Sequence, residues 1–202
     1  TIQCAGNRRK DYFQQEKVLG LKWQGGAIFN AKFEGVLLKD LIGGIYKLNL
    51  DTNLDGYYLN LISYDSPFSA SIQIKNNLEL LNRALIAYKM NDEELDPVNG
   101  YPIRIVLPGY SGAKNIKWLK EINISKEVCD VPWQTGVAYK SFGPEIKSFL
   151  DINDEHKKKS PTVEKLPVQS FICSVEHIKE ENLNYLLIKG IAYSGGGSTI
   201  IR

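Results

Sequence analysis

The alternation of apolar and polar residues predicts many short strands and few helices along this chain. Runs rich in branched and aromatic residues indicate the strands. Apolar residues at helical spacing predict a helix over residues 35–42, stopped by Gly43-Gly44, and a second over 76–83. Polar residues favour a loop over 8–16. The predicted strands cover residues 27–33, 57–64, 84–90, 103–107, 121–125, 167–174, 185–192 and 198–201.

One change in composition interrupts this pattern. Residues 151–161 are almost entirely polar or charged, and they end in Ser160-Pro161. Such a stretch is typical of an exposed linker. The mixture of strands and short helices in irregular order indicates an α+β fold.

Length, charge and cysteine content exclude several classes of protein. The chain has 202 residues, which is enough for one full domain and part of another. Its net charge is +2 and its basic residues are dispersed, so nucleic acid is not an expected partner. Three widely spaced cysteines form neither a disulfide framework nor a zinc-finger pattern. No apolar run approaches about 18 residues, so no membrane span is predicted. Because the chain begins with Thr1 and not with Met, we expect a fragment of a longer protein, and the absence of a signal or transit peptide says little.

Cys4 carries the most distinctive chemistry. It precedes a turn of small residues that leads directly into Arg8 and Arg9. Fixed positive charge favours the thiolate form of cysteine, which is a soft ligand for a transition metal. Guanidinium groups present planar donor forks that suit oxyanions. The stretch can therefore hold a metal and an oxyanion side by side, and the alternative is a cysteine that packs as a small apolar side chain.

The sequence Cys-Ala-Gly-Asn-Arg-Arg at residues 4–9 resembles the molybdenum-ligand loop of the sulfite oxidase family, which includes the eukaryotic assimilatory nitrate reductases. Further motifs follow in the order in which that family has them, and they span nearly the whole chain. Each is weak alone, whereas the ordered set is strong. These motifs are Gly20-Leu21-Lys22-Trp23, Gly26-Ala27-Ile28, Gly35-Val36-Leu37-Leu38-Lys39-Asp40-Leu41, Ala87-Tyr88-Lys89-Met90-Asn91, Gly100-Tyr101-Pro102-Ile103-Arg104, Pro108-Gly109, Lys117-Trp118-Leu119, Pro167-Val168-Gln169-Ser170 and Ala192-Tyr193-Ser194-Gly195-Gly196-Gly197.

The resemblance implies an α+β architecture with two domains. Residues 1–150 would form a sulfite-oxidase-type molybdopterin-binding domain, and 151–163 the linker. Residues 164–202 would be the truncated start of an immunoglobulin-like β-sandwich that makes the full-length protein a homodimer. The implied cofactor is Mo-molybdopterin. The Cys4 thiolate would bind molybdenum, and the dithiolene of the pterin would supply further sulfur ligands.

Three residues match positions that line the substrate pocket in that family. Arg9 is expected to bind the oxyanion, whereas Arg8 is assigned to capping the turn. Trp23 is expected to donate a hydrogen bond and to exclude water, with a buried core tryptophan as the alternative. Tyr139 matches a tyrosine whose hydroxyl reaches the substrate in sulfite oxidases and which nitrate reductases lack. Ala138 departs from the family, which usually has Asp before this tyrosine.

A further set of residues matches positions that hold the pterin and its phosphate. Backbone groups with one or two cations are what a phosphate needs, and Lys117 is the expected cation, with Lys114 near enough to share the task. Asn99 stands where most eukaryotic members have histidine; an amide can donate the same hydrogen bond but carries no charge. The implied cofactor-binding residues are Asp65, Asn99, Arg104, Asn115, Ile116 and Lys117.

Two other features point to structure rather than chemistry. His156 and His177 lie in no motif with a metal-ligand partner, so they are expected at the surface. The glycines at 195–197 lack the Lys-Ser/Thr that completes a phosphate loop, and they are interpreted as a turn between strands.

The resemblance implies oxidation of sulfite to sulfate by oxygen-atom transfer at molybdenum, with a cytochrome or oxygen as electron acceptor. A first alternative is nitrate reduction of the assimilatory type, against which Tyr139 argues. A second is a non-catalytic relic that serves as an assembly subunit, which the truncation, Ala138 and Asn99 suggest. The expected location is the mitochondrial intermembrane space, with the peroxisome as the alternative.

Overall fold

A computed structural model of the chain describes residues 1–46, 54–65, 68–180, 183–195 and 199–201. Short helices and antiparallel sheets make up this part of the chain. The helices are α1 (Arg9–Phe13), α2 (Leu38–Tyr46), α3 (Leu78–Leu81), α4 (Pro132–Thr135) and α5 (Asp154–Lys159). The strands are β1 (Ile2–Gln3), β2 (Ile28–Phe29), β3 (Phe33–Leu37), β4 (Tyr58–Ser63), β5 (Ser69–Gln73), β6 (Leu85–Met90), β7 (Glu93–Glu94), β8 (Arg104–Val106), β9 (Leu119–Ser125), β10 (Val168–Glu180) and β11 (Leu183–Ser194). Single 3-10 turns lie at Lys75–Asn77, Pro97–Asn99, Gly112–Lys114 and Phe149–Asp151.

Two antiparallel sheets and α2 share the main core. One sheet has the order β5-β4-β9, and in the other β6 pairs with β3, β7 and β8. Each fully buried leucine or isoleucine stabilises the fold by roughly 1.5–3 kcal/mol, so this cluster is the main source of stability. Its most deeply buried members include Leu38, Leu59, Leu61, Ile72, Ile74, Ile105, Leu107 and Ile116.

Branched and aromatic runs located most of these strands correctly. The predictions at 57–64, 84–90, 103–107 and 121–125 are confirmed by β4, β6, β8 and β9. The predicted strand at 27–33 is divided between β2 and β3. β5 was missed because its sequence, Ser-Ala-Ser-Ile-Gln, has small and polar residues where a strand signal needs branched ones.

The predicted helix at 35–42 is wrong over its first three residues. β3 extends through Leu37, and α2 begins only at Leu38 and continues through Gly43-Gly44. Pairing with β6 explains the difference, because Gly35 lies against that strand so closely that a Cβ would be 2.0 Å from Ile86 O.

Replacing Gly35 by alanine is expected to lower the free energy of unfolding of the full-length protein by about 2 kcal/mol, since β6 would have to move. Gly44→Ala is the matched control: a Cβ there has no atom within 4 Å, and alanine in a helix interior gains roughly 0.5–1 kcal/mol over glycine. Urea denaturation of both variants measures the two effects. Equal stability of both variants would contradict the close approach at Gly35.

Two segments expected to be irregular contain helices. The loop predicted at 8–16 includes α1, and the linker predicted at 151–161 includes α5. The Asn153 side chain accepts a hydrogen bond from His156 N at 2.9 Å, and acidic residues occupy the first turn of α5. Basic residues fill its last turn. Capping and charges that complement the helix dipole therefore stabilise a helix in a stretch that composition alone marks as a linker.

The end of the chain is a long hairpin. β10 and β11 pair along their whole length, which confirms and extends the strands predicted at 167–174 and 185–192. Of the strand predicted at 198–201, residue 198 lies outside the described residues and 199–201 form no strand. Gly196 and Gly197 of the predicted glycine turn also lie outside the described residues.

The segment before the hairpin is joined to the preceding fold. Ser111 N donates to Glu164 O at 2.8 Å, and Leu166 N donates to Gly109 O at 3.0 Å. The division into 1–150, 151–163 and 164–202, and the immunoglobulin-like character of the last part, stay predictions. Within the described residues, no helix has the length and apolarity needed to cross a bilayer.

Candidate functional site

Cys4 lies in a tight turn at the end of β1. Cys4 N donates to Ala27 O at 2.9 Å, and Asn7 N donates to Cys4 O at 3.0 Å, which closes the turn. Gly6 N lies 3.4 Å from the Cys4 sulfur, as a hydrogen-bond donor. The side chain is partly exposed, so Cys4 is not the buried apolar cysteine of the alternative interpretation. An N–H donor beside the sulfur suits a sulfur that carries negative charge.

Asn7 joins this turn to the neighbouring segment. Its Oδ1 accepts a hydrogen bond from Ala27 N at 3.0 Å. Its Nδ2 is buried and has no hydrogen-bond partner among the described residues. The backbone continues the link, since Lys10 N donates to Trp23 O at 3.0 Å. Hydrogen bonds therefore hold the cysteine turn against residues 21–27.

Arg9 directly follows the cysteine turn, and Trp23 belongs to residues 21–27. A Cβ on Gly6 would be 2.2 Å from an Arg9 Nη atom, so the guanidinium covers the turn. Its Nη1 donates to Leu21 O at 2.8 Å. Trp23 is 40% exposed, which argues against a core tryptophan. The structure thus brings Cys4, Arg9 and Trp23 into one small region.

Arg8 faces the hairpin instead. Its backbone is in the left-handed region with φ 64°, its Nε is 2.7 Å from Asp11 Oδ2, and its Nη1 donates to Ser170 O at 3.2 Å. The guanidinium also lies 5.9 Å from the centre of the Phe171 ring. These contacts agree with a structural role for Arg8.

Arg104 is the centre of a second cluster. It is 5% exposed, and it donates to Asn99 O at 3.0 Å and to Asn115 O at 3.4 Å. Its guanidinium lies 5.4 Å from the centre of the Phe33 ring, and its Nε has no partner among the described residues. Burial lowers the pKa of Arg104 to about 10, so the group remains a cation at neutral pH.

Lys117 lies beside Arg104. Its Nζ donates to Val98 O at 2.8 Å, and burial followed by the charge of Arg104 lowers its pKa, which Asp65 opposes. A Cβ on Gly100, whose φ is 107°, would lie 3.0 Å from Lys117 Cβ and 3.1 Å from Arg104 Cβ. Only glycine fits there without strain, and it allows the two cations to approach.

Asp65 and Asn99 complete this cluster through the backbone. Asp65 N donates to Ser63 Oγ at 3.0 Å, and Ser63 Oγ donates to Lys117 O at 2.8 Å. The Asn99 carbonyl is an acceptor for the Arg104 guanidinium. The structure therefore brings Asp65, from the turn after β4, together with Asn99, Arg104 and Lys117.

Asn115 and Ile116 contribute mainly to the fold. The Asn115 side chain accepts from Leu107 N at 2.8 Å and donates to Ser111 O at 3.1 Å. Ile116 is fully buried, and its carbonyl accepts from Ile105 N at 2.8 Å. The side chains of both residues and their main-chain N–H and C=O groups are engaged inside the fold, so their part in holding the pterin stays a prediction.

Gly112 connects the two clusters. A Cβ on Gly112 would lie 3.3 Å from Gln3 O and 3.7 Å from Cys4 N, and Gln3 forms a parallel bridge with Ser111. The same segment then leads through Asn115 to Lys117. A soft sulfur donor at one end and two cations at the other match the chemistry of a molybdenum dithiolene with a phosphate tail. The donor set therefore fits Mo-molybdopterin.

The Gly112–Lys114 turn lies between Cys4 and Tyr139. It is 39% exposed, has φ 55°, and its carbonyl accepts from Val163 N at 2.7 Å. With Lys114 and Gln134 it lines a small cavity of about 10 Å³. The described contacts connect Tyr139 with this turn rather than with Arg9.

The sequence did not indicate Gln134, and it indicated Lys114 only as a second cation for the phosphate. Lys114 is 3% exposed, and its Nζ donates to Ser71 O at 2.8 Å and to Gln134 Oε1 at 3.1 Å. These bonds engage its ammonium away from Lys117, so the suggested sharing of a phosphate is not supported. A single lysine in a short turn gives no sequence signal for such burial.

Lys114 is expected to make stability rise with pH in the alkaline range. Burial lowers its pKa from 10.5 to about 8. Between these values the unfolded chain binds one proton more than the folded chain, so the free energy of unfolding increases by about 1.4 kcal/mol per pH unit, about 3 kcal/mol in all. Urea denaturation between about pH 7.5 and 10.5 should show this rise in the wild type and not in Lys114→Met. Parallel curves for the two proteins would refute the assignment.

The histidines and other metal-ligating side chains lie apart from this site. His177 is exposed on β10, and His156 caps α5, with Nδ1 3.3 Å from Asn153 N and 3.0 Å from Asp151 O. Across the described ranges, no group of three or more His, Cys, Asp or Glu side chains converges on a common point.

Comparison with known proteins gives a consistent result. Residues 1–133 match the family described as the oxidoreductase molybdopterin binding domain. The whole chain is 37% identical to sulfite oxidase of Arabidopsis thaliana, covering 52% of that protein, and 33% identical to mitochondrial sulfite oxidase of Homo sapiens, covering 36% of it. It is 31% identical to a nitrate reductase [NADPH] of Fusarium oxysporum, covering 23% of it. The chain thus spans about half the length, or less, of these relatives.

A solved structure supports the fold. The sulfane dehydrogenase SoxCD from Paracoccus pantotrophus superimposes with a TM-score of 0.65, over 97% of this chain and 46% of that one, at 20% identity. The family match covers the cysteine turn, the Arg104 cluster and the Gly112 segment that joins them. The chain therefore belongs to the family of oxidoreductases with a molybdopterin-binding domain, and it is similar to the sulfite oxidases within it.

Proposed function

We propose that the full-length protein oxidises sulfite to sulfate with Mo-molybdopterin as its cofactor. The observation that carries this proposal is the position of the Arg9 guanidinium over the turn that presents the Cys4 sulfur. A thiolate and a fixed cation side by side suit a metal that acts on a small oxyanion. The names of the sulfite oxidase relatives support the choice of substrate.

Each residue has a defined task in this proposal. Cys4 binds molybdenum, and Arg104 and Lys117 hold the phosphate of the pterin. Arg9 binds the anion and orients it toward the metal, which lowers the entropic cost of the reaction. Trp23 excludes water from one side and offers its indole N–H to the anion. When bound, the cofactor supplies the two-electron oxygen-atom transfer chemistry.

The test is turnover by the full-length, molybdenum-loaded protein. Sulfite-dependent reduction of ferricyanide or of a cytochrome is expected, with sulfate as the product. A loaded protein that reduces neither acceptor and consumes no sulfite would end the proposal. The same assay, run with oxygen, identifies the electron acceptor.

Tyr139→Phe is expected to raise KM for sulfite about 10- to 100-fold, because one hydrogen bond to a charged group contributes about 1.5–3 kcal/mol. Tyr64→Phe is the matched control, since that side chain is 76% exposed. Steady-state kinetics on sulfite measures both. An unchanged KM in the Tyr139 variant would remove this residue from the substrate pocket.

Nitrate reduction is the second candidate, supported by the similarity to a fungal nitrate reductase. Tyr139 and the several sulfite oxidase relatives favour sulfite. Comparing the rates on sulfite and on nitrate with a reduced dye distinguishes the two. A non-catalytic assembly subunit is the third candidate, and a purified full-length protein without molybdenum would favour it.

The assembly and location of the protein belong to the same proposal. We infer a homodimer, formed by the part of the protein that follows the linker. Several relatives carry the word mitochondrial in their names, which supports a mitochondrial location. The intermembrane space and the peroxisome are expectations from the resemblance alone, and fractionation of cells tests them.

A further inference from the structure

Lys114 is a buried cation at the meeting point of three segments. It belongs to the turn beside Cys4, and its ammonium donates to Ser71 O on β5 at 2.8 Å and to Gln134 Oε1 on α4 at 3.1 Å. Gln134 Oε1 also accepts from Ser71 N at 3.3 Å. Lys114 and Gln134 are 3% and 7% exposed. A buried charge is costly unless hydrogen bonds compensate it, so a lysine here requires a reason.

The turn that bears Lys114 lies between the Cys4 turn and the stretch of chain that bears Tyr139. Gly112, two residues earlier, lies against the backbone of Cys4. In the other direction, Gln134 and Tyr139 belong to the same stretch of chain, and Lys114 and Tyr139 share the walls of the small cavity. Its volume of about 10 Å³ is enough for one water molecule. The cavity is also lined by Trp133, whose Nε1 is buried and has no partner among the described residues.

We propose that Lys114 is a positioning residue that holds the segment bearing Tyr139 in register with the turn bearing Cys4, through Gln134 and the cavity that Lys114 and Tyr139 share. This proposal rests on the proposed function, in which Tyr139 contacts the anion. Lys114 itself does not contact the substrate. Its effect is to fix where the tyrosine hydroxyl lies relative to the metal ligand.

Several charged groups surround the Lys114 ammonium. Glu164 and Cys129 favour its protonated form, and Lys140 opposes it. Burial exceeds these effects and lowers the pKa of Lys114 to about 8. The positive charge of Lys114 is therefore present at neutral pH and is lost at mildly alkaline pH. The effect of this loss on the hydrogen-bond network can be measured as a function of pH.

The experiment uses the full-length protein with 4-fluorophenylalanine, which has no ionisable hydroxyl, incorporated at position 139 and observed by 19F NMR. The wild-type resonance is expected to shift with an apparent pKa near that of Lys114, and this titration is absent in Lys114→Met and Lys114→Arg. Lys158→Met, an exposed lysine of α5, is the matched control and titrates as the wild type. The series is repeated in Cys129→Ser, which removes a charged neighbour of the Lys114 ammonium, and this variant is expected to keep the shift.

Kinetics provide the second measurement. Lys114→Met is expected to raise KM for sulfite at least tenfold with unchanged molybdenum content, and Lys114→Arg restores it to within about threefold. Gln134→Leu breaks the network at its other end and displaces the 19F resonance, which keeps the test decisive where Lys114→Met does not fold. An unchanged resonance and titration in both Lys114→Met and Gln134→Leu would overturn the proposal. If the wild type oxidises no sulfite while the 19F signal responds as expected, the positioning role holds and the proposed function fails.

Discussion

Cys4→Ser in the full-length protein is expected to lower kcat for sulfite by about 10³-fold or more, equivalent to about 4 kcal/mol in the barrier. A serine hydroxyl is not a soft anionic ligand, so molybdenum would lose its protein-derived sulfur. The change is nearly isosteric, and the hydrogen bonds that close the turn come from the backbone. The fold is therefore expected to survive while the metal chemistry is lost.

Stopped-flow reduction by sulfite and metal analysis measure the two parts of this effect. Cys173→Ser is the matched control, because that thiol is exposed on β10. It should leave both the rate and the molybdenum content as in the wild type. Normal sulfite oxidation by the Cys4 variant would show that its sulfur is not a ligand.

Arg104→Gln is expected to have the second-largest effect, on cofactor retention and on stability together. The guanidinium is 5% exposed and is the donor to Asn99 O and Asn115 O. Leaving buried acceptors without a donor costs about 1–3 kcal/mol in the free energy of unfolding. Loss of a cation at the phosphate should lower the affinity for the pterin about 10- to 100-fold, because a hydrogen bond to a charged group contributes about 1.5–3 kcal/mol.

Pterin fluorescence after release of the cofactor, and urea denaturation, measure these losses. Arg83→Gln is the control, since Arg83 is an exposed arginine close to β6. A variant of Arg104 that keeps its pterin but loses stability would assign this arginine to the fold alone. A variant that keeps both would contradict the cluster described around it.

Sequence patterns were informative where one local signal dominated. The branched runs of β4 and β8 located buried strands, and the motif around Cys4 located the turn that presents its sulfur. The helix boundary at Leu38 was not predictable, because the contact of Gly35 with Ile86 is made by a strand distant in sequence. Local spacing favoured a helix there, and tertiary pairing with β6 overrode it.

The residues of the candidate site likewise divide into those that a sequence motif indicates and those that depend on tertiary contacts. The resemblance in sequence indicated Arg9, Arg104 and Lys117, and the structure brings the last two together. Lys114 was noted only as a neighbour, because its partners Ser71 and Gln134 are 43 and 20 residues away. Such a network depends on the completed fold and leaves no periodic trace in the sequence.

The parallel bridge between Gln3 and Ser111 has a consequence for biosynthesis. It closes a very long loop, so the Cys4 turn and the Arg104 cluster become neighbours only after the chain between them has been synthesised and folded. A nascent chain that contains only the Cys4 turn lacks the two cations, Arg104 and Lys117, that would bind the phosphate of the pterin. Both ends of the pterin can therefore be bound at once only after the chain has been synthesised and folded through Lys117.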